Sequence, residues 1–130
     1  MEVSTMPKLK TKAILRNKGF GIPIQPKMRY KLTLEGELNI TPYAANQRAN
    51  YYLVMHVGNL VMSGEPELEF RKEGTYWRLP AILTSPDVGH VGEIGEIIVD
   101  AQTGVVAEAE STPIKEMEKN AESLAKEKTL

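Results

Sequence analysis

The sequence predicts an α+β fold: an antiparallel sheet packed by one main helix, with a C-terminal helix. Three observations carry this. After Thr41-Pro42, the residues Ala45, Ala49, Leu53, Val57 and Leu60 recur at helical spacing. Between 67 and 109, runs of strand-forming residues alternate with turn residues. After Thr112-Pro113, Ile114, Met117, Ala121 and Leu124 form a second helical seam.

Along the chain, residues 1–9 read as a flexible tail, and 10–130 as a single domain whose basic N-terminal part is 10–40. A short strand is expected around Ala13, Ile14 and Leu15. In Gly19–Pro26, Pro23 and Pro26 lack a backbone donor, which excludes a central strand. Residues 28–40 alternate: Tyr30, Leu32, Leu34 and Gly36 share one face, and Lys31, Thr33 and Glu35 the other. Glu35-Gly36-Glu37 marks a bend or bulge.

Thr41-Pro42 joins a hydroxyl N-cap to a proline in the first helical turn. Gly64 and Pro66 then close the helix, which is expected over about 42–62. Leu68 and Phe70 alternate with Glu67, Glu69 and Arg71 as a strand. Tyr76 to Leu83 is a further strand, in which Pro80 argues for an edge or a bulge. Phe70, Tyr76 and Trp77 are the expected sheet anchors, with Met55, Val57 and Leu60 as their helix partners.

Thr84 to Gly92 reads as a loop longer than a plain hairpin needs. A hairpin with strands at about 93–100 and 104–109 follows. Asp100 is placed to fold its carboxylate onto the turn, and Gly104 to take a positive φ. The terminal helix is expected over 113–128. Glu116, Glu118, Lys119, Glu122, Lys126 and Glu127 fill its surface, which leaves a narrow apolar seam. That seam serves to dock on its own sheet, to pair with another copy, or to meet a partner.

The 130 residues suit one domain with an ordinary apolar core. With no cysteine, disulfides, thiol catalysis and thiolate metal sites are excluded. No apolar run approaches the roughly 20 residues of a membrane span, and no hydrophobic stretch follows the basic N-terminus. A cytoplasmic location without membrane contact is therefore expected. Net charge is −1, but residues 1–31 hold eight basic side chains and one acid. This asymmetry suits a basic arm that meets nucleic acid or an acidic partner, or one that lies against the acidic body of the same protein.

Chemistry is thinly represented. His56 lies beside the main helical stripe and reads as structural. Asp87 and His90 share a loop, but only Ser85 stands near them as a nucleophile, and Ser-Pro-Asp is ordinary turn chemistry. Two histidines without spaced carboxylates make a poor metal set, and no cofactor is expected. Glu93, Glu96, Glu108 and Glu110 read as solvent-facing residues or a negative rim. Gly89, Gly92 and Gly95 enter a strand rather than opening a helix, so they suit bulges and bends better than phosphate.

Two resemblances add to this. The Arg16-Asn17-Lys18-Gly19-Phe20-Gly21-Ile22-Pro23-Ile24-Gln25-Pro26-Lys27-Met28-Arg29 stretch is faintly similar to the DNA-binding hairpin of AbrB-type antitoxins. In that family a basic residue and glycine precede an apolar–Ile–Pro run and an arginine. The resemblance implies DNA contacts by Arg16, Lys18, Lys27 and Arg29, with Phe20 and Tyr30 able to stack on bases; Pro26 departs from the pattern.

Residues 42–107 resemble a PepSY-like domain. The resemblance rests on a helix leading to Ser63-Gly64-Glu65-Pro66, a strand around Tyr76-Trp77-Arg78, and the hairpin Gly95–Val106 with its Val99-Asp100-Ala101-Gln102-Thr103-Gly104 turn. It implies a helix on an antiparallel sheet and a non-catalytic role, restraining proteases or serving as an envelope adaptor. The expected signal peptide, membrane segment and attached peptidase are not found in this sequence, which puts protease restraint in doubt. The sequence thus points to a non-enzymatic module that binds another protein, as a homo-oligomer, through Ile114, Met117, Ala121, Leu124, Asp87 and His90. The alternative is an antitoxin-like DNA-binding regulator. A small enzyme built on Asp87 and His90 ranks last.

Overall fold

The computed structural model describes residues 13–16 and 20–127. The expected tail at 1–9, and Lys18 of the basic arm, lie outside them. The elements are β1 (Ala13–Leu15), α1 (Pro42–His56), β2 (Val61–Ser63), β3 (Glu67–Arg71), β4 (Gly74–Ser85), β5 (Gly89–Asp100) and α2 (Ile114–Glu127). The described residues form an α+β fold of five strands and two helices. β4 is the central strand. β5 pairs along one edge of it, and β3 and β2 pair end to end along the other. β1 adds a parallel pair outside β3, so the sheet is mixed rather than wholly antiparallel.

Thr41 caps α1 as its chemistry requires: its hydroxyl accepts from the Ala44 N–H at 3.1 Å, and Pro42 follows. The helix ends at His56, six residues short of the expected 62. Gly58 interrupts it, and Val61–Ser63 leaves to pair with Leu83–Ala81. Two helix side chains hold that departure: Asn50 accepts from the Ser63 N–H at 2.7 Å, and Asn46 accepts from the Ser63 hydroxyl at 2.7 Å.

Directly opposed residues in an antiparallel pair share a face. Leu68, Trp77 and Val99 therefore face α1 together. Ala45, Ala49, Tyr52 and Leu53 of α1 close over Trp77, Leu79, Ile97 and Val99. Of the expected helix partners only Val57 packs here, at the margin; Met55 and Leu60 are exposed. Trp77 is the sheet anchor. Tyr76 lies on the opposite face, and Phe70 is half-buried.

Pro80 sits in the central strand, not at an edge. The Pro80 carbonyl accepts from the Gly64 N–H at 2.7 Å, so its donorless nitrogen points toward the same side. The reciprocal bond to the Gly64 carbonyl is the one ladder bond given up, and it falls at the junction where the chain leaves β2 for β3. A Cβ on Gly64 would approach the Pro80 ring at 2.7 Å, which explains a glycine at that junction.

The expected loop at 84–92 is a tight turn over 86–88 between paired Ser85 and Gly89. The register steps twice, so that Ile94 and Val91 are extra residues on β5. Both are buried. Bulges are therefore present among Gly89, Gly92 and Gly95, but two of these glycines have a further role. A Cβ on Gly95 would meet Met117 at 2.8 Å and Thr112 at 2.9 Å; one on Gly92 would meet Leu124 at 2.9 Å. They are the seats of α2. Gly95→Val is accordingly expected to cost about 1–3 kcal/mol through overpacking. Urea unfolding measures the loss, and slowed proteolysis after residue 112 would contradict it.

The turn at Asp100 has the expected chemistry. The carboxylate accepts from the N–H groups of Gln102 (2.8 Å) and Thr103 (3.1 Å), and Gly104 has φ of 79°. The returning strand expected at 104–109 is reduced to one bridge, Val99 with Val106. Beyond it, side chains cover the β5 edge. Ser111 Oγ accepts from the Ile98 N–H at 2.9 Å, and Thr112 Oγ1 from the Glu96 N–H at 2.9 Å. The Thr112 hydroxyl thus ties down the sheet instead of capping α2.

Residues 28–40, expected to alternate as a strand, form none. They are extended and almost wholly exposed, and up to residue 38 their backbone makes no ladder bond to another described segment.

Candidate functional site

The α2 seam is turned inward. Met117 is fully buried, and Ile114, Ala121 and Leu124 pack against the core. These four residues are committed to their own sheet, the first of the three uses expected for them. Asp87 and His90 are exposed at the β4–β5 turn. The Ser85 hydroxyl accepts from the Asp87 N–H at 3.2 Å, and His90 lies across from Thr84. No hydrogen bond or ion pair joins Asp87 to His90 among the described residues. His56 is exposed, with its ring 4.6 Å from that of Tyr52.

The sheet face turned away from the helices holds a network of charges. Arg78 contacts Glu67 at 3.2 Å, Glu93 at 3.8 Å and the Glu96 carboxylate. Arg71 contacts Glu69 and, at 2.6 Å, Glu110, and lies over the Tyr76 ring. Arg16 reaches Glu69 at 3.0 Å. The expected negative rim is therefore partly neutralised by arginines on the sheet itself.

Burial works to lower the Arg71 pKa, but the hydrogen bonds and charges of Glu69 and Glu110 raise it above the ordinary guanidinium value. Burial likewise opposes, and Glu96, Glu67 and Glu93 outweigh, at Arg78. Guanidinium groups held this way stay protonated. No group of three or more His, Asp or Glu side chains suited to a metal occurs among the described residues. Of the basic arm, Lys27 adopts φ of 56° in a turn and Arg29 is exposed, whereas Arg16 is engaged with Glu69. Tyr30 is exposed and Phe20 half-buried.

The outward side of α1 is different in kind. Tyr43, Gln47, Tyr51, Val54 and Met55 fall on one side at helical spacing. Tyr43 is 72% and Tyr51 70% exposed, and Val54 and Met55 are more than half exposed. The Gln47 amide donates to the Tyr43 hydroxyl at 3.4 Å. The helix carries one permanent charge, Arg48, which donates to the Gly104 carbonyl at 3.2 Å. The outward surface is thus neutral, aromatic and apolar, properties of recognition surfaces rather than of solvated helix faces.

Sequence reasoning missed this surface because one apolar stripe had already been found for α1. The signal was present: Tyr51-Tyr52-Leu53-Val54-Met55 is five consecutive apolar residues, more than a one-sided helix can bury.

No helix among the described residues is long and apolar enough to cross a membrane. No family model, curated protein or solved structure matches the chain significantly.

Proposed function

We propose that this chain is a non-catalytic protein-interaction module of PepSY-like character, acting as a homo-oligomer. The observation that carries the reading is the neutral apolar surface of α1 formed by Tyr43, Tyr51, Val54 and Met55. Side chains of this type contribute most at interface centres, where charge is depleted. Support for the PepSY-like part comes from one helix lying across an antiparallel ladder that closes on the Asp100–Gly104 turn.

The test is affinity capture from the native host with the intact chain and with Tyr51→Glu/Met55→Lys. Both side chains point outward, so far-UV circular dichroism is expected to be unchanged. Recovery of the specific partner is expected to fall about tenfold or more, as for removal of interface anchors. Equal recovery by the variant would remove α1 as the binding surface.

A second reading, an antitoxin-like DNA-binding regulator, draws on exposed Lys27, Arg29 and Lys31. It requires a gel shift that weakens steeply with salt. No shift at low salt with folded protein would eliminate it.

A further inference from the structure

Residues 28–38 combine three properties. The backbone of the segment makes no hydrogen bond among the described residues. Its apolar side chains Tyr30, Leu32, Leu34 and Leu38 are exposed, from 41% at Leu32 to 75% at Tyr30. Its charges are divided by sign: Arg29 and Lys31 precede Thr33, and Glu35 and Glu37 follow it. An extended, alternating segment with unpaired backbone groups is a strand without a pairing partner, and the charge order identifies the partner.

We infer that residues 28–38 pair antiparallel with the same residues of a second copy, about a two-fold axis through Thr33. This rests on the homo-oligomeric part of the function proposed above. In that register Lys31 faces Glu35 and Arg29 faces Glu37, each twice by symmetry. Leu32 faces Leu34, Met28 faces Leu38, and the Tyr30 ring covers Gly36. Opposite charges and apolar pairs are the contacts that stabilise such ladders.

Other registers are poorer. A parallel in-register pair sets Lys31 on Lys31 and Glu35 on Glu35. A two-fold axis through Leu34 leaves Arg29 facing Asn39. One through Leu32 needs Lys27 in the ladder, but its φ of 56° takes it out of strand geometry. Shifts by one residue set charged side chains against leucines. Beside the segment, Leu15, Ile22, Ile24, Met28, Tyr30 and Leu32 border a groove of about 630 Å³, which provides an apolar floor that an isolated two-stranded ribbon needs.

The test uses sedimentation velocity on the full chain and on two charge variants, Arg29→Glu/Lys31→Glu and Glu35→Lys/Glu37→Lys. The wild type is expected to be dimeric. Each variant alone places like charges opposite one another and should self-associate at least about tenfold more weakly. An equimolar mixture of the two should restore the dimer, since every opposed pair is again of opposite sign. Because the chain has no cysteine, Thr33→Cys should form a covalent dimer on mild oxidation, and Leu38→Cys should not.

A monomeric wild type overturns the inference, as do variants that remain dimeric alone, a mixture that stays monomeric, or equal crosslinking at 33 and 38. Partner capture by the monomeric charge variants separates this from the α1 reading. Loss of the dimer with capture retained leaves α1 as the partner surface, while loss of capture only in the Tyr51→Glu/Met55→Lys chain leaves the strand pair intact.

Discussion

Trp77→Ala is expected to destabilise the protein by about 3–5 kcal/mol, the range for truncating a large buried aromatic. Trp77 is 2% exposed and lies between α1 and the sheet. It also holds the approach to the helix. The indole N–H donates to the Ile40 carbonyl at 2.7 Å, while the Asn39 and Ile40 N–H groups both donate to the Ala101 carbonyl at 3.0 Å. The residues just before the Thr41 cap are thereby clamped between β4 and the Asp100 turn. Trp77→Phe keeps most of the packing and leaves the Ile40 carbonyl without its donor, at a further cost of about 1 kcal/mol. Urea unfolding followed by far-UV circular dichroism measures both, since Trp77 is the sole tryptophan and fluorescence is lost with it. A Trp77→Ala loss under about 1 kcal/mol would show that the core closes without this anchor.

The second large effect is on the opposite face. Arg71→Met is expected to cost about 3–5 kcal/mol, because it leaves a buried carboxylate without its main counter-charge. Glu69 is 0% exposed, and its Oε1 has no hydrogen-bond partner. Its Oε2 depends on Arg71 and on Arg16, which is itself 45% exposed. The Arg71–Glu110 contact is half in solvent and contributes little. The double variant Glu69→Leu/Arg71→Met should recover most of the loss, since no buried charge remains to be compensated. Additive losses in a double-mutant cycle would show that the pair is not coupled.

Both sites bear on what was readable in the sequence. Trp77 was expected as an anchor, but Glu69 read as the outward member of an alternating strand. The alternation was correct. What it could not show was that β1 runs beside β3, pairing Ile14 with Glu69, and that arginines close over the carboxylate. The order found, β–α–β–β–β–β–α, differs from the expected one in three places: 28–40 and 104–109 form no strand, and Val61–Ser63 does. Val61 and Met62 were read as the end of the helix, because Leu60 continues the spacing of Ala45, Ala49, Leu53 and Val57. The reversal depends on Asn46 and Asn50 binding Ser63, contacts separated by 17 and 13 residues. Conversely, 104–109 looks like a strand, yet the β5 edge it would pair with is taken by the hydroxyls of Ser111 and Thr112.

The two helices show the same division. α2 has one apolar seam, and its docking on Gly92 and Gly95 follows once those glycines are seen to lack the atoms that would obstruct it. α1 is apolar on two sides, so periodicity alone does not say which side meets the sheet. The packed structure buries the side with small residues, Ala45 and Ala49, because they let the backbone approach β4 and β5 closely. The side bearing Tyr43, Tyr51, Val54 and Met55 is left exposed.

By itself, the sequence determined what depends on near neighbours: the Thr41 cap, the Asp100–Gly104 turn, the alternation of β3 and the seam of α2. Each is set by contacts within a few residues, where side-chain chemistry acts directly on the backbone. Only the tertiary structure decided which face of α1 is outward, how Pro80 fits a central strand, and that residues 28–38 have no strand partner among the described residues. Those outcomes depend on which distant segments arrive beside them, and a strand in particular has no stabilising hydrogen bonds until another chain segment supplies them.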